Sequence, residues 1–420
     1  MWSHILPISS LLSGVALLLL GNGLLNTLLT LRGVHEGYST TMLGLVMSGY
    51  FVGYLLGTWI NTPLIRRVGH IRAFAFFAAV AASIALMHVL VVDPWFWLFL
   101  RVGYGMALIG LYMVIESWLN AQASNEQRGQ IFAVYMVVNL VALAIAQQLL
   151  GLAAPTEFIL FALAAILICC ALTPIALTRQ AQPNIPDTHA VDLRHLIRVA
   201  PLALFAAAIS GLSMGGFWGM APVYASLNGM DASGVGLLMS LSILGGALLQ
   251  WPIGRFSDNH DRRTVLFWVV SLAVLVSLLL SMMPTGIWML ALFFVWGGLA
   301  FAVYPLAVAQ LIDQLHPDEI LSGSSGLLLV NGVGAICGPL LAGVLIEQLG
   351  PDTLPLFFAA CFAALAIYNL HRLRHVSDLI SDPPAHFVPM LRTSPTVLEL
   401  VPEVPESIET QARAEAEEHY

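Results

Sequence analysis

Pro252-Ile-Gly-Arg-Phe-Ser-Asp-Asn-His-Asp-Arg-Arg263 joins two long apolar runs, residues 233–253 and 264–283. Arg255, Arg262 and Arg263 are crowded into it. An arginine at the centre of a membrane helix costs about 2.5–3.5 kcal/mol on insertion scales. The stretch therefore reads as a short turn between two membrane helices, at the surface of a bilayer. A weaker copy, Leu64-Ile-Arg-Arg-Val-Gly-His-Ile-Arg72, links runs 41–64 and 72–91, and its Arg66 stands 192 residues before Asp258. One hairpin is used twice.

Outward from these two turns the chain is apolar throughout. Hydrophobic residues make up 59% and charged residues 10%, with a mean hydropathy of +0.86, which no soluble domain of this length reaches. Twelve runs are long enough to cross a hydrocarbon core of about 30 Å: residues 5–31, 41–64, 72–91, 95–119, 130–150, 156–178, 199–225, 233–253, 264–283, 286–312, 321–346 and 353–371. The fold class is an all-α membrane protein of twelve transmembrane helices.

Arginine counts orient it. With the N-terminus inside, the even-numbered connections and the end of the last helix hold twelve arginines, and the odd-numbered connections hold only Arg32. That is a strong positive-inside pattern and places both termini in the cytoplasm. The polar stretch 179–198, with two prolines, reads as a cytoplasmic linker. It divides the chain into six-helix bundles over 1–178 and 199–375, a parallel repeat with a solute site expected near the midplane between them. Residues 376–420 form an acidic, proline-rich cytoplasmic tail with nine acids against Arg392 and Arg413, a composition that favours disorder. The N-terminal run is too long for a cleaved signal peptide and lacks a basic leader.

Several chemistries are excluded. There is no lysine and no basic surface for nucleic acid. No phosphate-cradling G-x-x-x-x-G-K-[ST] occurs, so ATP is not the expected energy source, and no HExxH or CxxC suggests a metal. Cys169, Cys170, Cys337 and Cys361 all fall in apolar runs and read as buried small hydrophobes. No cofactor is expected, and the chain reads as a non-enzyme.

Two charges stand in lipid territory on the fourth span, Arg101 and Glu116. Fifteen residues turn the helix so that they lie within roughly 60° of one face, about 22 Å apart along the axis. Arg101 either faces a cavity or is satisfied by backbone carbonyls. Glu116, near the cytoplasmic end, either pairs with an arginine of the 66–72 turn or carries a proton. Neutral polar and aromatic residues at mid-span complete a candidate cavity: Asn22, Asn26, Tyr104, Tyr112, Asn139, Ser213, Trp218, Gln250, Trp296, Tyr304 and Asn331. Such a set suits an uncharged or amphipathic solute better than a dianion, although each residue singly serves equally well as helix–helix glue.

Gly254, Asp258, Arg262 and Arg263 resemble motif A of the major facilitator superfamily, G-x-x-x-D-[RK]-x-G-[RK]-[RK]. The first-half copy retains Arg66, Arg67, Gly69 and Arg72 but has Thr62 and Arg66 in place of the glycine and the aspartate. Arg101 followed by Gly105 resembles the family's motif B, an arginine implicated in proton coupling. Gly334–Pro339 on the eleventh span resembles motif C, which drug antiporters carry on the fifth span, where this chain has Ala142–Gln147 instead. The runs QWPIGRFSDNHDRR, VIESWLNAQASNEQRG and YPLAVAQLIDQL are similar to the YcaD-type bacterial branch. The resemblance implies alternating access, a small-molecule solute, coupling to an ion gradient, usually protons, at Arg101, and a gate at the second-half turn; Glu116 is a second coupling candidate by its position, and the first-half turn is an arginine-only version of the gate. The reading is a monomer in the bacterial inner membrane, with export ahead of uptake; the alternatives are an uptake symporter and a non-transporting membrane sensor or scaffold that uses the acidic tail.

Overall fold

A computed structural model describes residues 9–122, 128–177, 192–316, 319–375 and 390. Among them are twelve helices long and apolar enough to cross a bilayer. The first half contributes α1 (Ser9–His35), α2 (Thr40–Val68), α3 (His70–Leu90), α4 (Pro94–Gln122), α5 (Arg128–Gln148) and α6 (Phe158–Cys170). A 3-10 turn, Leu149–Leu152, ends α5, and Leu172–Ala176 continues α6. The second half contributes α7 (Pro201–Leu227), α8 (Ala232–Asp258), α9 (Arg262–Leu280), α10 (Ile287–Ile312), α11 (Ile320–Leu349) and α12 (Thr353–His375).

Before α7 lies a short helix, Leu193–Val199. Asp192 caps it by accepting from the backbone N–H groups of Arg194 and His195 at 3.0 and 3.1 Å. Those bonds, the one from His195 first, hold the Asp192 carboxyl below the usual carboxylate range.

The helices overrun the apolar runs. Helix α8 continues through Gly254 and Arg255 to Asp258, so the quoted turn shrinks to Asn259–Asp261. Helix α2 likewise carries Arg66 and Arg67, and Gly69 alone joins it to α3. A helix outside hydrocarbon keeps its backbone bonds at little cost, so polarity does not end it; a cap does. Gly69 has φ 84°, where other residues are strained, and its N–H returns to the Ile65 carbonyl at 2.9 Å. Asp261 starts α9 by accepting from Arg263 N–H at 3.0 Å.

Within each half the same partners pack: α2 on α4, α1 on α5 and α3 on α6 in the first, α8 on α10, α7 on α11 and α9 on α12 in the second. Glycines set the closest approaches. A Cβ on Gly53 would lie 1.9 Å from the Val102 carbonyl oxygen, and one on Gly245 would lie 1.9 Å from that of Phe294. Gly105 meets the Tyr50 carbonyl at 2.1 Å in the same way, and Gly297 meets that of Ser242 at 2.0 Å. All four pairs of equivalents are 192 residues apart. Backbone on backbone leaves no room for any side chain there.

Outward faces carry large apolar side chains, among them Phe99, Trp268 and Trp288, as a lipid-facing surface requires. Cys169, Cys170 and Cys337 also lie on that surface, and only Cys361 is buried. The expectation of four buried cysteines is corrected: an apolar helix in lipid is apolar on its outside too.

The halves meet towards the arginine-poor end. Thr40 Oγ1 donates to Gly343 O at 2.8 Å, Thr41 N to Glu347 Oε2 at 2.9 Å and Ser48 Oγ to Ile336 O at 2.6 Å, joining α2 to α11. Ser240 Oγ donates to Ala144 O at 2.7 Å and accepts from Gln148 Nε2 at 2.6 Å, joining α8 to α5. Within the halves, α4 packs on α2 and α3, while α10 packs on α7, α8 and α9. A space remains between the halves at mid-helix level.

Candidate functional site

That space is a cavity of about 150 Å³ at mid-helix level. A water needs roughly 10–15 Å³ on this measure, so it holds on the order of ten. The first half presents Asn22 and Asn26 from α1, Tyr50 and Tyr54 from α2, Tyr112 from α4 and Asn139 from α5. The second half presents Ser210, Met214 and Trp218 from α7, Phe301 and Tyr304 from α10 and Asn331 from α11. Met390, the one described residue beyond α12, also lines it and is buried. Among the described residues no charged side chain is in the wall.

Seven of the eleven cavity residues expected from the sequence are here: Asn22, Asn26, Tyr112, Asn139, Trp218, Tyr304 and Asn331. The other four stand one layer back. Tyr104 donates its hydroxyl to Asn22 Oδ1 at 3.2 Å, and Gln250 Nε2 donates to the Phe301 carbonyl at 3.0 Å, so both brace wall residues. Ser213 is fully buried and donates to the Ser210 carbonyl at 3.5 Å. Trp296 sits in an aromatic cluster with Phe217, Phe293, Phe358 and Phe362. Helical period gives the inward face but not which inward positions a neighbouring helix covers.

The sequence reading passed over Tyr50 and Tyr54. They lie one turn apart, and their rings stand 6.3 and 6.4 Å from those of Tyr104 and Tyr112 respectively. Tyrosines four apart on one span and eight apart on another, both helical spacings on one face, were the available signal.

Arg101 is fully buried behind this wall. Its Nη2 donates to Asn26 Oδ1 at 2.5 Å, and its Cζ lies 4.6 Å from the Tyr50 ring centroid and 5.6 Å from that of Tyr104. Desolvated cation–π contacts of this kind contribute about 2 kcal/mol. Nε and Nη1 have no hydrogen-bond partner among the described residues.

Glu116 is also fully buried, and the Tyr135 hydroxyl donates to its Oε1 at 2.9 Å. Helix α4 runs on to Gln122, so Glu116 is deeper than its place in the apolar run suggested. Asn139 Nδ2 donates to the Tyr135 carbonyl at 2.7 Å, and Thr27 Oγ1 donates to Gln147 Oε1 at 2.7 Å.

The residues of the quoted turn form an ion cluster inside the second half. Arg262 Nε donates to Asp313 Oδ2 at 2.5 Å, and Arg262 Nη2 lies 3.5 Å from Asp258 Oδ1. Gly254 is buried in the last turns of α8, and Arg263 Nε approaches Asp261 Oδ1 at 3.4 Å. In the first half, Arg66, Arg67, Gly69 and Arg72 line a surface hollow. Among the described residues, no three His, Cys, Asp or Glu side chains stand together as metal ligands.

A family model described as Major Facilitator Superfamily matches residues 11–225 and again 203–398. The chain is 29% identical over 377 residues to the "Uncharacterized MFS-type transporter YcaD" of Escherichia fergusonii, covering 89% of this chain and 98% of that one. It is 30% identical over 386 residues to the protein of the same name in Shigella flexneri, covering 90% and 98%. A crystal structure of the nucleoside transporter NupG superposes with a TM-score of 0.71 at 16% identity, covering 87% of this chain and 98% of that one.

Proposed function

The chain belongs to the major facilitator superfamily, and on that premise we propose that it is a proton-coupled secondary transporter of a small organic solute. It works by alternating access in the bacterial inner membrane, with export favoured over uptake and with both termini in the cytoplasm. One observation carries this reading: a neutral, aromatic and amide-lined cavity between two six-helix halves that are hydrogen-bonded together towards their arginine-poor end. The arginine distribution supports the joined end as the outer one, and in this reading the cavity opens inward.

In this reading a solute enters between the walls from the cytoplasm, and the halves rock to part the α2–α11 and α5–α8 seams. The Asp258–Arg262–Asp313 cluster steadies the second-half turn that closes behind it. Arg101 and Glu116 carry the coupling, because buried charges in a membrane protein are costly unless they do work. The protein acts as a monomer.

The test begins with a thermal-shift screen of purified protein against metabolites and drugs at two pH values. A ligand at a hundredfold its dissociation constant stabilises by roughly 2.7 kcal/mol. A stabilising compound is then followed in proteoliposomes with and without an imposed pH gradient. Gradient-driven flux is expected. Binding without flux under any gradient would sink the transport reading.

A further inference from the structure

Arg101 is a buried cation whose charge nothing beside it balances. It is fully buried. No salt bridge to it exists among the described residues, whose ion pairs fall elsewhere. The other charge on its helix, Glu116, is fifteen residues away, about 22 Å along the axis. A guanidinium has five N–H donors in a planar fork. Asn26 occupies Nη2, and Nε and Nη1 are left without an acceptor.

The surroundings say what would complete it. Asn26, its hydrogen-bond partner, and Tyr50, the ring beneath it, are both cavity wall. The guanidinium is thus one side chain removed from the solute space. Within that space Tyr54, Trp218 and Phe301 offer flat apolar faces, and the asparagines offer neutral polar contacts. Among the described residues no second cation lines the cavity, so they would leave a dianion half compensated. A carboxylate matches the fork in shape and charge.

The geometry points to Arg101 as the anchor for the carboxylate of an amphipathic, planar monocarboxylate solute, with Asn26 as the hinge between them. The aromatic body lies against Tyr54, Trp218 and Phe301. This deepens the transport reading and rests on it, since it turns Arg101 from a coupling residue into one that also recognises the solute.

The test is a set of matched pairs on purified full-length protein: benzoate, phenylacetate and indole-3-acetate, each against its carboxamide, by thermal shift. At least one carboxylate is expected to raise Tm by about 3–5 °C at saturation while its carboxamide does not. Arg101→Gln should abolish that rise and Arg101→Lys should keep part of it. Because Arg101→Gln risks misfolding, Asn26→Asp gives a second route, placing a carboxylate where Asn26 Oδ1 now meets Nη2. That variant is expected to be folded, with a higher basal Tm than the parent and no carboxylate response.

A carboxamide that stabilises as well as its acid overturns the proposal, as does an Asn26→Asp protein that still responds to carboxylates. So does a panel in which no carboxylate shifts the parent. A neutral solute that binds and is transported would overturn the anchor but leave the transporter. A carboxylate that binds but gives no flux would do the reverse.

Discussion

The two halves share a skeleton and differ in chemistry. The skeleton is written in glycine: Gly53 and Gly105 lock α2 to α4 as Gly245 and Gly297 lock α8 to α10, at a spacing of 192. At the same offset the charges do not repeat. Arg101 faces Phe293 as its equivalent, and Glu116 faces Val308. At the turns the order is reversed. Asp258 and Arg262 join Asp313, whereas their first-half equivalents are Arg66 and His70. His70 contacts Ser117 Oγ at 3.0 Å and leans on Trp118 instead. The first half buries two charges along α4 that the second half lacks, and the second half draws its turn arginine into an ion cluster. A repeat of this kind preserves what packing demands and lets each copy specialise in what packing ignores.

The sharpest way to break the comparison is at the glycines. Gly53→Leu and Gly245→Leu should both lose nearly all monodisperse protein in size-exclusion, because overpacking costs about 1–3 kcal/mol even where side chains can yield, and carbonyls cannot. Gly103→Ala, which would meet only the Ile84 side chain at 3.3 Å, should survive. If Gly245→Leu folded normally, the two halves would not share their skeleton.

Next in size is the charge asymmetry. Arg101→Ala should cut transport driven by a pH gradient by about tenfold, worth 1.4 kcal/mol, whereas Phe293→Ala should lower Tm and leave the gradient dependence intact. Full gradient-driven flux in Arg101→Ala would remove it from the coupling path. At the turns, Asp258→Asn should slow transport several-fold at matched expression, and Arg66→Asp should bring no gain. Faster flux in Arg66→Asp would mean that the first-half turn is a crippled gate rather than a different device.

The smallest effect compares two asparagines, also 192 apart. Asn331 Nδ2 donates to the Ala207 carbonyl at 3.0 Å and ties α11 to α7, while Asn139 bonds within its own helix. Interhelical bonds in membranes average about 0.6 kcal/mol. Asn331→Ala should therefore lower Tm by a degree or two, and Asn139→Ala by less.

The twelve spans and the arginines at their ends were legible because they follow from the cost of burying charge in hydrocarbon, which acts residue by residue. The ends of α2 and α8 were not, since a helix outside the bilayer stops at a cap such as Gly69 or Asp261 rather than at a change of polarity. The wall of the cavity was legible in part. Asn22, Asn139 and Asn331 announce an inward face, but whether Ser213 or Ser210 reaches the space depends on which helix packs beside α7. Tyr50 was missed for a related reason: its role comes from Arg101, a partner on another span. The tail reading concerns residues 376–420, of which Met390 alone lies within the described residues.

The seam between the halves sets the scale of the transport cycle. Its donors are hydroxyls, the Gln148 side-chain amide and one backbone amide, with a single carboxylate, Glu347, among the acceptors. Neutral bonds of this sort are worth about 0.5–1.5 kcal/mol each after water takes their place, so the set amounts to a few kcal/mol. Turning a two-state equilibrium from 1:99 to 99:1 takes about 5.5 kcal/mol. A fastening of that strength is one that a bound solute can undo and that thermal motion alone seldom does.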